Sequence, residues 1–179
     1  VYSIREKKVP YTTVDWFQMD RTSARPGEGV RLVFGSSEPG VRILLETQHR
    51  GRITGSQFLV VDREQMVVEI PIREEHRGNV SFCATFIRGN RVYQHTETVT
   101  VPWSNKALDV SFSTFRSALL PGQKEQWRLT IKGPAGTPAS AEFAAALYDA
   151  ALDRIMPHAW SFTPFASFNW THAWTAHEL

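Results

Sequence analysis

One thiol, six histidines and six tryptophans carry most of the chemistry this 179-residue chain has to offer. The thiol, Cys83 in "SFCATF", would serve as a nucleophile only with a neighbouring base and an electropositive pocket, for which His76 and His95 are the candidates. Its neighbours are apolar and β-prone, so the reading is an inert packed thiol. As the sole cysteine it excludes an internal disulfide framework and a multi-cysteine zinc site. His158, His172 and His177 with Asp149, Asp153 and Glu178 contain metal-ligand types, but the histidines lack the i, i+4 spacing that would set two ligands on one helix face. Trp160, Trp170 and Trp174 are flat rings of the kind that stack on sugar faces, a candidate aromatic binding surface. The stronger reading of Trp160, Phe162, Phe165, Phe168, Trp170 and Trp174 is packing on a folded domain, because exposure would make a sticky patch. Asn79-Val80-Ser81 and Asn169-Trp170-Thr171 match the glycosylation acceptor pattern, which also recurs by chance. No spacing of Ser, Cys or carboxylates suggests a catalytic constellation; the expectation is a non-enzyme with no metal and no cofactor.

Elements that would position these residues begin with bulk properties. Twenty basic and 18 acidic residues are interspersed, for a net charge of +2, so no basic block marks nucleic acid as a partner. At 42% hydrophobic the chain has material for a core, yet no apolar run approaches the roughly 18 residues needed to cross a bilayer. The opening "VYSIREKKVP" is neither signal peptide nor cap, and the chain reads as a piece of something longer.

The first hundred residues read as short strands. "GVRLVFG" (29–35) places Val30, Leu32 and Phe34 on one side with the period of two of a half-buried strand. Runs 41–49, 52–61, 65–72, 79–87 and 91–101 follow, rich in Val, Ile, Thr and Phe. Turn signals separate them at Glu38-Pro39-Gly40, Arg50-Gly51, Arg77-Gly78-Asn79 and Gly89-Asn90, the last as a tight hairpin. This spacing predicts an antiparallel sandwich.

Near residue 102 the pattern stops and restarts. Pro102 cannot donate to a ladder, and Ser104-Asn105-Lys106 is a polar hinge, with Pro102, Trp103 and Asn105 as its candidate residues. An echo crosses this boundary: "ARPGEGVRLVFGSS" (24–37) returns as "LLPGQKEQWRLTIKG" (119–133), about 95 residues later. The repeat period is one β-sandwich length, which predicts two sandwiches in tandem. In the second copy Trp127, Leu129 and Ile131 form the inward row, while Glu125 takes the place of Val30, a difference assigned to a strand end. Beyond residue 134 the alanine-rich run alternates at Phe143, Ala145 and Leu147, predicting strand through about Tyr148. A short helix follows from Asp149 as its cap, ended by Pro157. The expected organisation is a lead-in at 1–13, a sandwich at 14–103, a partial sandwich at 104–156 and an aromatic-rich tail at 157–179: an all-β chain of two fibronectin/immunoglobulin-like antiparallel sandwiches.

"LDVSFSTFRSALLPGQKEQWRLTIKGPAGTPASAEFAAALYDAALDRI" resembles a segment of the α2-macroglobulin family, in which a Pro-Gly-Gln turn, a strand and an "x-G-x-P-x-x-A" hairpin lead to a hydrophobic strand ending at an Asp. Here the hairpin is Gly136 to Ala139 with Ala141 after it, and the Asp is Asp149. The domain before it, from "WFQMDRTSARPGEGVRL" to "TVTVPW", is similar to the neighbouring macroglobulin domain. The resemblance spans roughly residues 14–156 and is closest to the fifth and sixth macroglobulin domains of large bacterial members. It implies a cell-envelope or secreted protein that traps proteinases after a bait segment is cut. The thioester of some members needs Cys followed, one residue later, by Glu-Gln; here Glu64-Gln65 follows Arg63 and Cys83 precedes Ala84-Thr85-Phe86. No thioester can form within these residues. The family's bait insertion follows the strand ending at Asp149, which makes 157–179 its candidate start.

The resemblance implies a non-catalytic scaffold whose partners are proteinases, met by the full-length parent, and other macroglobulin domains of the same chain. The alternative is a carbohydrate-binding or adhesion module of a bacterial surface protein. An interdomain hinge at Pro102 and Trp103 would be the mechanical element of the first reading.

Overall fold

The structure, a computed structural model, describes residues 6–114, 116, 118–145, 148–157, 159, 161 and 163–171. Among these residues it is all-β, with several antiparallel sheets and no long helix. The described residues form nine strands in chain order: β1 (Trp16–Met19), β2 (Gly29–Gly35), β3 (Val41–His49), β4 (Arg52–Val61), β5 (Gln65–Pro71), β6 (Val80–Arg88), β7 (Arg91–Val99), β8 (Asp109–Thr114) and β9 (Arg128–Lys132). The chain divides into two compact units, residues up to Pro102 joined by the segment from Phe165, and Trp103–Pro164. No helix among the described residues is long and apolar enough to cross a membrane.

In the first unit a three-stranded sheet, β1-β2-β5, and a four-stranded sheet, β4-β3-β6-β7, enclose one apolar core in a sandwich. Alternation builds it. Val30, Leu32 and Phe34 on β2 face Val41, Ile43 and Leu45 on β3 and Phe82, Ala84 and Phe86 on β6, all buried. The predicted runs match the strands closely, and β1 adds a short edge strand that was not singled out. Hairpins at Arg50-Gly51 and Gly89-Asn90 each place two central residues at positive φ, the requirement of the type I′ turns that suit the strand twist. Phe17 of β1 packs on Phe34 and stacks on His95 of β7 at 4.5 Å, and His95 Nε2 meets the Asp15 carboxylate at 2.7 Å. This links the two sheets along one side. Residues 6–9, expected as a lead-in, lie against this unit: the Lys7 carbonyl accepts from the Gln65 N–H and Val9 is buried.

The echo has a structural counterpart. Arg25 to Glu28 and Leu120 to Gln123 each close a turn with a 3.0 Å bond from the last N–H to the first carbonyl. In both, Pro precedes a positive-φ Gly, the pattern of a type II turn. In both, the side chain of the last residue reaches back to the first N–H: Glu28 Oε2 to Arg25 at 2.7 Å, Gln123 Oε1 to Leu120 at 3.0 Å. One turn has been built twice with an acid in one copy and its amide in the other.

The second unit departs further from expectation. Among its described residues it contains one antiparallel pair, β8-β9. Val110 sits opposite Ile131 and Phe112 opposite Leu129, with Trp127 edge-on to Phe112 at 6.4 Å. Trp127, Leu129 and Ile131 thus share a face, but Trp127 precedes the strand, and Glu125 lies outside it in an ion pair with Arg116. The strand expected at 140–148 is not formed at 140–145 or 148; 146 and 147 lie outside the described residues. The hairpin into it does start, with Gly133 donating to Thr137 and a single bridge from Lys132 to Pro138. Residues 141–145 then stay exposed, because alternation supplies a face and a strand also needs a partner ladder. The short helix is a 3-10 turn, Ala150–Arg154, capped as expected by Asp149 through the Ala151 N–H.

Candidate functional site

Cys83 is fully buried on the outer face of the four-stranded sheet, opposite to the core face occupied by Phe82 and Ala84. Gln94 Nε2 and Thr96 Oγ1 donate to its sulfur. His95 is on the adjacent strand but pairs with Ala84, faces the other way and is bonded to Asp15. His76 caps a turn elsewhere, so the structure brings neither base to the thiol. Asp149 and Asp153 are committed locally: Tyr148 donates to both Asp153 oxygens, and that bond holds the phenol above its usual range. His158, His172, His177 and Glu178 lie outside the described residues, as do Trp160 and Trp174. Trp170 is half-buried. Of the acceptor asparagines, Asn79 is buried at positive φ with its side chain on the Val101 N–H, whereas Asn169 is exposed.

The residues the fold does bring together lie at one end of the first unit. The chain leaves it through Val101 and Pro102 and comes back at Phe165. Both passages meet at Gly78, whose N–H donates to the Val101 carbonyl at 3.0 Å and whose carbonyl accepts from the Phe168 N–H at 2.7 Å. Positive φ at Gly78 and Asn79 turns the peptide so that both groups are offered. Arg77, nearly buried, donates to the Pro102 carbonyl and grips Glu74 with Nε at 2.6 Å and Nη2 at 3.0 Å. That guanidinium holds the Glu74 carboxyl below its usual range. Of the hinge candidates, Pro102 is clamped by Arg77, while Trp103 and Asn105 belong to the 3-10 turn Ser104–Lys106 and its cap.

The returning segment is held further on. His49 packs edge-on to Phe168 at 6.0 Å and to His76 at 6.1 Å, and its Nδ1 donates to the Asn79 carbonyl. Gln48 exchanges two bonds with Thr171: its Oε1 accepts from the Thr171 N–H at 2.8 Å, and its Nε2 donates to Oγ1 at 3.1 Å. Such an arrangement holds chain and has no reacting group. Neither Arg77-Gly78 nor Gln48 was singled out as a site residue; the first appeared as turn punctuation, and no local signal marks a bond to a residue 123 positions away.

His76 makes this end sensitive to pH. Its Nδ1 accepts from the Arg73 N–H, and burial, with the cations nearby, pushes its pKa below 6.5 against the opposing pull of Glu75. Above the unfolded value the ring is neutral in both states and contributes no pH dependence. As pH falls below it the unfolded chain takes the proton first, so stability drops until the folded value is passed. Urea unfolding at about pH 7 and about pH 5.5 should show a loss that His76→Gln reduces. An equal loss in the variant would assign the effect to other groups.

Residues 14–154 match the family model described as the alpha-2-macroglobulin bait region domain. No curated protein matches. Among solved structures, the sulfur carrier protein SoxY from Chlorobium limicola f thiosulfatophilum is 14% identical, over 53% of this chain and 84% of that one, with a TM-score of 0.35. A β-glucosidase from Erythrobacter marinus is 15% identical, over 48% of this chain and 16% of its own, with a TM-score of 0.27. At these scores neither likeness bears on function.

Proposed function

Because the chain belongs to the alpha-2-macroglobulin bait region domain family, we propose that it is a non-catalytic structural segment of an alpha-2-macroglobulin-like proteinase inhibitor that traps proteinases after bait cleavage. The observation that carries this reading is the closure at Gly78. Residues 103–164 are an excursion whose two ends are bonded to one residue of a sandwich, so a cut within it would free the excursion and leave both ends held. That is the mechanical behaviour a bait-bearing scaffold requires. The duplicated type II turn supports the finer reading of two macroglobulin domains in tandem, corresponding to the fifth and sixth of a bacterial member in the cell envelope or secreted. Its partners in this reading are proteinases and sibling domains of the parent. The carbohydrate-binding alternative would need Trp160, Trp170 and Trp174 as an open platform, and half-burial of Trp170 does not favour it.

The test uses the full-length parent, incubated with an active endoproteinase and assayed on a small peptide and on a large protein substrate. Activity should fall on the large substrate and survive on the small one, since an enclosed proteinase still admits peptides. Unchanged activity on both, across proteinases of different specificity, would remove the trapping reading.

A further inference from the structure

His49 and His76 stand where the returning segment meets the sandwich, and their partners fix which ring nitrogens carry hydrogen. The Asn79 carbonyl can only accept, so the His49 Nδ1 that meets it at 2.9 Å is the donor. His49 Nε2 is buried and has no hydrogen-bond partner. The Arg73 N–H can only donate, so the His76 Nδ1 that receives it at 3.2 Å holds a lone pair, and the hydrogen of the neutral ring is on Nε2. A second proton on His76 would therefore turn Nδ1 from acceptor to donor. Two donors would then face each other across the Arg73–His76 turn, which that bond helps to close.

This turn is joined to the returning segment by two routes. Through the rings, His76 lies edge-on to His49 at 6.1 Å, and His49 lies edge-on to Phe168 at 6.0 Å. Along the chain, Gly78 comes two residues after His76, and its carbonyl accepts from the Phe168 N–H at 2.7 Å. Both histidines line a cleft of about 420 Å³ with Thr47, Thr54, Ile70 and Arg73, so the His76 ring has room to swing out.

Few charges surround His76. On its own turn Glu75 Oε1 is 3.9 Å from Nε2, Arg73 opposes that carboxylate, and Glu74 is engaged by Arg77. Thr47, Thr54 and Gly55 of the β3–β4 hairpin and Ile70 and Pro71 of β5 bring no charge to the cleft, while the hairpin tip carries Arg50 and Arg52. Residues 165–171 carry none. Burial is the largest influence on the ring and keeps its pKa below 6.5 despite Glu75.

We propose that His76 is a proton-operated latch: its protonation opens the Arg73–His76 turn, withdraws the ring from His49 and frees Phe168 from Gly78 while the sandwich stays folded. The inference does not depend on proteinase trapping. It adds a local opening to the loss of overall stability expected of the same ring.

Amide hydrogen exchange on the full chain tests it at the bond concerned. Corrected for the intrinsic pH dependence of exchange, protection of the Phe168 amide should fall roughly tenfold or more between about pH 7 and about pH 5. At low urea concentrations that exchange should hardly respond to denaturant, because opening one segment exposes little surface, whereas the Phe82 and Ala84 amides of β6 should respond steeply. His76→Gln keeps an acceptor for the Arg73 N–H and takes up no proton, so it should abolish most of the fall. His95→Gln, at the β1–β7 seam with Asp15, should leave the fall in place. Phe168 protection that ignores pH, or that falls equally in His76→Gln, overturns the proposal. So does a urea response as steep as that of β6, which would mean that the segment leaves only when the whole unit unfolds. The pH and urea responses of the unsubstituted chain decide the matter even where a variant does not fold.

Discussion

Replacing Phe34 by alanine should remove about 3–5 kcal/mol from the first unit and lower its melting temperature by roughly 15–30 °C. The ring is almost wholly buried at the middle of the core, facing strands from the opposite sheet. Its loss leaves a cavity, and it also removes the surface against which Phe17 rests. Phe17 in turn stacks on His95, which Asp15 holds, so the seam between β1 and β7 loosens with the core. Against a typical domain stability of about 5–15 kcal/mol, this brings the unit close to unfolding at body temperature. Phe112→Ala is the matched control: the same truncation on the exposed face of β8 should cost under about 1 kcal/mol. Calorimetry of both variants decides the matter, and similar small shifts for the two would mean that the core does not depend on Phe34.

Arg77→Ala should cost about 2–3 kcal/mol, from the charged hydrogen bond that this buried side chain makes to the Pro102 carbonyl and from the packing of its stem. Thermal unfolding of the first unit should fall by roughly 10–20 °C. Lysine at this position keeps charge but not the planar fork that serves Glu74 and Pro102 together, so Arg77→Lys should recover only part of the loss. Glu74→Gln should change little, because that carboxyl is mostly in water. The order of the three variants is the informative result. If Glu74→Gln proved as damaging as Arg77→Ala, the ion pair and not the carbonyl contact would be the clamp.

Most of the first unit is legible in the amino-acid sequence. Val30, Leu32 and Phe34 announce a buried face by spacing alone, and Gly89-Asn90 names its turn because few residue pairs accept positive φ twice. The short β1 was not singled out, since a four-residue edge strand with every residue half-buried has no alternation to read. The run at Phe143 and Ala145 misled for the converse reason: it has the alternation and lacks a neighbouring ladder among the described residues. The duplicated Pro-Gly turn was visible as a motif, but the reach of Glu28 and Gln123 back to the first N–H was not. At the site, Pro102 was readable as a ladder-breaker. Its anchor was not, because Gly78 bonds Val101 and Phe168 across separations that local pattern does not encode.

The closure at Gly78 also fixes what a nicked molecule would be. A single cut between Trp103 and Pro164 yields two polypeptides, yet the carboxyl-terminal one still donates Phe168 to Gly78 and pairs Thr171 with Gln48. Under native conditions the pieces should co-elute as one particle of unchanged mass, and they should separate only in detergent. After denaturation the sandwich strands, all on the amino-terminal piece, would refold at a rate indifferent to concentration, while recapture of the carboxyl-terminal piece would become bimolecular and slow as the mixture is diluted. Covalent continuity and structural continuity are separate properties at this point in the fold.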